Sequence, residues 1–462
     1  MNFKNKIKSV FIIAAFLSVS CEKTEVATSS ATVTALSCSA ATFSATATAS
    51  SAYTATATVP YTGGNGVAYV AGSAISSTGV TGLIATLTAA TLTAGAGNAT
   101  FAITGTPSAA GTASFAISVG GQSCSLSLPV TAATTTPTNG SVWSIDTDIA
   151  NIVKAAEAFK ATLSSTQVAA LQYGYTVAQA KLWSNLPQNL YRNRVGLATS
   201  TFSTDQWTAF YNLLKATTGS GANEGLEEYS AIIDADDYLL ANGGGSGYGK
   251  GNYYIAFLGT PSASDLWSLQ IGGHHGTNIT TYKAGKLTGG TPNFRSTEPY
   301  PTWVSTNTKA TLGPLVQETT AFANFLKSLS SAELTSAKRA AAQNDIIVGP
   351  QKDGSFPTTK TGVKAGNLTA TQKNLLLVAI KTYVDDLDDR AAAAVMAKYT
   401  AEIGDTYVSY VGSTDMTAKG DYILIDGPSV WIEWSMQGGI VIRNGNHPHS
   451  VWRDRKSDYG GN

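Results

Sequence analysis

The chain of 462 residues carries 30 Lys plus Arg against 30 Asp plus Glu, a formal net charge of zero, and only 13% of its residues are charged. Such a length predicts two or three domains, and such a balance lacks the basic footprint of a nucleic-acid binder. All three cysteines precede residue 125, so the rest of the chain has no cysteine nucleophile and no thiolate metal site.

Residues 1–20 read as a secretory signal: "MNFKNKIK" supplies three lysines, and "SVFIIAAFLSVS" is an apolar run too short to span a bilayer. No later run is long enough either, so the remainder is expected to be soluble. The signal ends in "LSVSC", which resembles a bacterial lipoprotein signal, although Leu17 lies one place further from the cysteine than usual. That resemblance implies lipidation at Cys21, membrane attachment through the lipid, and a periplasmic or outer-membrane, cell-surface location. Ordinary secretion with Cys21 incidental is the alternative. The two cysteines that remain, Cys38 and Cys124, are expected to pair, as an exported protein permits.

Residues 31–132 read as an all-β domain. "SAYTATATV", "FAIT" and "FAISV" alternate, with turn signals such as "GGNG" and "GAGN" between them. This is an immunoglobulin-like sandwich pattern, and the run "YTGGNG…ISSTGVTGL…GTPSAAGTASFAI" is similar to Ig-like modules of Bacteroidota surface proteins. A linker follows over 133–142.

From Trp143 the texture becomes α+β. "LSSTQ" at Leu163, "FSTDQ" at Phe202, "LSSAE" at Leu329 and "LTATQ" at Leu368 each place Ser or Thr three residues before Gln or Glu. Each is a capping box and predicts a helix start. The step from 163 to 202 is 39 residues, and so is the step from 329 to 368. Each pair then leads to long helical stretches, an aromatic strand ("GNYYIAFLG", "DTYVSYVG"), a Trp-bearing strand ("DLWSLQIGG", "PSVWIEWSM") and a histidine pair. Residues 143–462 therefore read as a duplicated unit of helices then antiparallel strands, with halves near 143–300 and 301–462. Chance is the other explanation, since capping boxes are common. A pseudo-twofold would let both histidine pairs face one shared cleft.

All four histidines lie in those pairs: His274 and His275 in "GGHHG", His447 and His449 in "NHPHS". On a strand, His447 and His449 share a face, whereas His274 and His275 point apart unless the flanking glycines bend the chain. Imidazoles with a carboxylate suit a divalent transition metal such as zinc, iron or copper. Glu298, Glu433 and Asp454 are the carboxylates near them in sequence. A structural use of the histidines, or metal-free acid–base work, remains the plainer alternative. Arg192 and Arg194 could grip an anionic substrate group or pair with the acidic helix that follows. The glycine-rich "NGGGSGYGKGN" fits no phosphate loop and is expected to be a mobile loop. "DDLDD" at 385–389 is expected to be a solvated helix face, with an Asp386–Arg390 pair.

"WSNLP" with its following arginine, "YYIAFLGTPS" leading to "GGHH", and "HPHSVWRD" leading to "DYG" resemble the family catalogued as domain of unknown function 3500. The resemblance covers about 320 residues and carries no assigned activity. Together these features lead us to expect an exported metal-assisted hydrolase acting on an extracellular substrate. His274 or His275, with His447 and His449, would hold the ion, Glu433 or Glu298 would serve as ligand or general base, and Arg194 would orient substrate. Two alternatives come from other classes. One is a surface glycan- or peptide-binding protein using Tyr253, Trp267, Trp431 and Trp434; the other is a metal scavenger without turnover.

Overall fold

In the computed structural model, residues 30–49, 51–131 and 141–461 are described. The proposed signal peptide, Cys21 and most of the linker lie outside them. Tyr53–Gly64 reads YTATATVPYTGG, and over its first nine residues the side chains at odd-numbered positions are buried. That alternation puts one strand face on a core. The strand pairs with Gly95–Gly105, which pairs with Leu83–Leu87. A second sheet joins Gly111–Val119 to Gln122–Thr131. Gly120 and Gly121, both at positive φ, make the two-residue turn of that hairpin. Inward residues of both sheets, among them Val59, Phe101, Phe115 and Leu126, form one core. Cys38 and Cys124 are disulfide-bonded. Cys38 sits in a 3₁₀ turn, Cys38–Ala40.

The second region opens with helices α1 (Ile149–Lys160) and α2 (Ser165–Leu171), then α3 (Thr204–Thr217) and α4 (Gly225–Leu239). Strands β1 (Tyr254–Leu258), β2 (Trp267–Gly272), β3 (Gly276–Lys283) and β4 (Asn293–Arg295) follow. Then come α5 (Val316–Ser328), α6 (Ser331–Ala337), α7 (Ala370–Val384) and α8 (Asp389–Glu402). The chain finishes with β5 (Tyr407–Val411), β6 (Tyr422–Asp426), β7 (Val430–Gly438) and β8 (Asn446–Asp454). All eight belong to one sheet, in the order β1-β2-β3-β4-β8-β7-β6-β5, with short strands at its margins. Among the described residues, no helix is long and apolar enough to cross a membrane.

All four capping boxes form, at Ser164, Ser203, Ser330 and Thr369. They also bond to one another in a recurring way. The Gln206 amide donates to the Thr162 carbonyl and to Gln167 at 3.0 Å each, and the Gln372 amide donates to the Ser328 carbonyl and to Glu333 at 3.0 and 2.9 Å. Leu197–Ala198 lies antiparallel to β1 as Val363–Lys364 does to β5. Gly196 and Gly362, both at positive φ, pack their α-carbons on the carbonyls of Ile255 and Val408, where a β-carbon has no room.

The recurrence fails at the Trp-bearing strands. β2 is second from its margin of the eight, whereas β7 is third from the other, because β6 intervenes. The helices cover one face of the sheet with a core containing Phe159, Trp267, Tyr383 and Trp434. Loop residues cover the other, with Trp183 packed against Ile279, Phe294 and Val451.

Candidate metal centre

Gly276 of β3, Arg295 of β4 and Ser450 of β8 lie opposite one another across the sheet. One residue further along each strand gives His275, Ser296 and His449. The two histidine stretches therefore meet because β4 and β8 are neighbours in one sheet, not across a cleft between two sheets. His275 breaks from strand geometry with φ +63°, a left-handed conformation uncommon for any residue but glycine. Its N–H donates to the Asn185 carbonyl at 3.3 Å, and its carbonyl accepts from Ser296 N–H at 2.9 Å. This turn, flanked by Gly273 and Gly276, frees adjacent side chains from alternation. The His274 and His275 rings stack with centroids 3.6 Å apart.

Ring centroids of His275 lie 5.1 Å from His447 and 5.5 Å from His449, and His447 lies 5.1 Å from His449. One ring nitrogen from each falls within 4.8 Å of the other two. Tetrahedral zinc, with Zn–N of about 2.1 Å, sets its ligands about 3.4 Å apart, so small χ rotations close the site. His275 and His447 are buried, while the His449 side chain keeps 13% of its exposure. Burial first, then the neighbouring imidazoles, holds His275 well below the usual histidine range and pushes His447 down to about 3. These rings are neutral lone-pair donors. His447 Nδ1 is buried without a hydrogen-bond partner, a state that fits a metal ligand.

Carboxylates orient two of the rings. His449 Nδ1 meets Asp345 at 2.9 and 3.0 Å, and His274 Nδ1 meets Asp236 at 2.6 Å. A carboxylate on Nδ1 fixes the tautomer and leaves Nε2 free to coordinate or exchange a proton. The other oxygen of Asp236 accepts from Gly249 N–H at 2.8 Å. The glycine-rich loop is thus pinned at its C-terminal end, with the Tyr248 ring edge-on to His274 at 4.9 Å.

The expected carboxylates are employed elsewhere. Glu433 is fully buried and accepts from Ile347 N–H, Val348 N–H, Tyr422 Oη and Trp431 Nε1 at 2.5 to 2.8 Å. It anchors a loop, and no oxygen is left to act as base. Glu298 Oε1 accepts from Ile440, Val441 and Ile442 N–H at 2.7 to 2.8 Å, ordering the loop that leads into β8. Asp454 accepts from Trp143 Nε1 and Tyr399 Oη on the helix side.

Arg194 donates to the carbonyls of Ser184, Leu186 and Tyr191 and to Gln188. It braces the loop that supplies Asn185, so its guanidinium is occupied rather than offered to substrate. Arg192 is exposed. Tyr253, Trp267, Trp431 and Trp434 are all 0% exposed; both sheet faces are covered, so none presents a ring to a glycan. Asp386 is also buried, and it pairs with Arg295 rather than forming a solvated face with Arg390.

The family model described as Protein of unknown function (DUF3500) matches residues 146–461. The chain belongs to this family. No curated protein and no solved structure matches it. The stretches of this DUF3500 chain that carried the resemblance, "GGHH" and "HPHSVWRD", supply all four imidazoles. Asp236 and Asp345 escaped the sequence reading, since they lie 38 and 104 residues from the histidines they orient. Only the burial of the "DADD" face of α4 could have hinted at the first.

Proposed function

We propose that this protein is a metal-assisted hydrolase whose ion is held by His275, His447 and His449. The observation that carries the reading is the meeting of three imidazoles from two distant stretches, His275 and His447 buried and His449 partly exposed. Three nitrogen ligands with one open position suit zinc, and also iron or copper, and such an ion lowers the pKa of bound water toward neutrality. Asp345 orients His449. His274, stacked on a ligand and fixed by Asp236, is the side chain left over to exchange a proton with that water. A closed site would make the protein a metal scavenger without turnover; the partial exposure of His449 favours an open one. The burial of the four aromatic residues speaks against the glycan-binding alternative.

Three further readings belong with this one. The recurring capping-box bonds and marginal strands support a duplication about a pseudo-twofold, although the histidine pairs occupy unequal positions in it. The two-sheet N-terminal core supports an Ig-like module. The disulfide fits an exported protein, anchored through Cys21 if the signal is processed as its resemblance implies.

The test is elemental analysis of the full chain beside a His447→Ala/His449→Ala variant, both loaded from a mixed zinc, iron and copper buffer. We expect one equivalent in the parent and none in the folded variant, followed by turnover of ester, amide or phosphoester substrates by the loaded parent. No transition metal in the folded parent would overturn the reading.

A further inference from the structure

The strand row that carries the histidines has a second face, and a different cluster lies on it. Arg295, next to Ser296, points toward the helices. Its Nε pairs with Glu228 Oε1 at 2.8 Å, and its guanidinium also contacts Asp386. One oxygen each from Glu224, Glu228 and Asp386 lies within 4.8 Å of the others. Glu318 of α5 faces the same place, where the charges of Glu228, Arg295 and Glu224 act on it. It is 0% exposed, and neither of its oxygens has a partner. Glu224 Oε2 and Glu228 Oε2 are also unpartnered.

Four carboxylates thus face one guanidinium. If all ionise, three negative charges are left uncompensated away from water, a state that is strongly unfavourable. Two solutions exist: protons or a cation. Burial pushes Glu228 up to about 7, and burial with the Glu228 charge pushes Glu224 up to about 8. Protons would therefore leave near neutral pH. A cavity of about 10 Å³ borders Glu228, Arg295 and Asp386, with Asn278 and Asn293 on its wall. That is room for about one water-sized sphere.

We infer that Glu224, Glu228, Glu318 and Asp386 form a second cation site, taking a hard divalent ion. The donors are oxygens only, with no imidazole or thiolate, which selects calcium, manganese or magnesium over the softer metals suited to the histidines. Calcium takes six to eight oxygens, which four carboxylates and the two Asn amides can supply. The ion would join α4 to α5 and to the link between α7 and α8, elements drawn from both halves of the region. This site stands independently of the histidine centre.

The experiment uses the full chain and its His447→Ala/His449→Ala variant, stripped with chelator and titrated separately with calcium, manganese and magnesium chloride. Stoichiometry is read by elemental analysis after dialysis, and the thermal midpoint is followed in parallel. We expect both proteins to take up one equivalent of calcium or manganese per chain and to gain several degrees in midpoint. Glu318→Gln, which keeps the side-chain shape, should lower the affinity at least tenfold. If the stripped parent neither binds nor is stabilised by any of the three ions, the cluster is held by protons and the inference fails. Should Glu318→Gln not fold, the parent titration decides alone. Because the double histidine variant is tested beside the parent, failure here is distinguishable from failure of the transition-metal reading.

Discussion

Glu433 offers a sharp test of whether the loop beside the histidines is held as described. Its carboxylate satisfies two backbone N–H groups, a phenol and an indole, all in a buried setting. Glu433→Ala leaves four donors unpaired, each unfavourable by about 1–3 kcal/mol. Burial already raises the Glu433 carboxyl, so removing the charge returns part of this. The net loss should be several kcal/mol, short of the roughly 4–12 kcal/mol to which the four donors sum. Glu433→Gln should be milder. Its carbonyl can serve Val348 and Trp431, the Tyr422 hydroxyl can turn to accept, and only Ile347 N–H meets another donor. One lost bond predicts about 1–3 kcal/mol. Because Ile347 and Val348 lie two and three residues after Asp345, the Ala variant should also lose His449 orientation and about 10–100-fold in metal affinity. Urea unfolding followed by tryptophan fluorescence, with metal titration alongside, reads both. An Ala variant with an unchanged midpoint, or a Gln variant as damaged as Ala, would refute this accounting of acceptors.

Other perturbations separate the parts. Asp345→Asn should weaken metal binding about 10–100-fold while leaving the urea midpoint in place, since Asp345 is 47% exposed in its side chain; equal affinity would remove its orienting role. His274→Ala should keep the metal yet slow turnover about 10²–10⁴-fold, and loss of metal instead would make His274 a ligand. Reducing the Cys38–Cys124 bond opens a loop of 86 residues, worth about 4–5 kcal/mol by unfolded-chain entropy. An early transition confined to the N-terminal domain is the expected trace. In the metal-stripped chain, His447 titrates near 3 when folded and near 6.5 when unfolded. Its contribution is therefore complete above about pH 6.5 and drains by about 1.4 kcal/mol per unit as the pH falls toward 3. A flat thermal midpoint between pH 7 and 4 would contradict it.

Local signals were the legible ones. A capping box needs four consecutive residues, and all four were found from sequence. Histidine scarcity pointed to the site, but the route to convergence was misread. Treating the Trp267 and Trp431 strands as counterparts overlooked Tyr422–Asp426, an intervening strand whose YILID run shows no alternation, being buried on both faces. The same double covering hid the fate of the tryptophans and of Glu433. A near-continuous apolar strand announces burial without saying what lies on each side. Asp386 misled for another reason: its neighbours in sequence are acidic and helical, and only the fold brings Arg295 to it.

The seam between β4 and β8 joins the strands of residues 143–300 to those of residues 301–462. His275 belongs to one side of it, His447 and His449 to the other, so neither half owns a complete donor set. An ion captured there would act as a rivet. Its binding free energy, about 4 kcal/mol when the free ion stands at a thousand times its dissociation constant, would count as cohesion between the halves. Starving the protein of metal would then loosen a joint as well as silence a site.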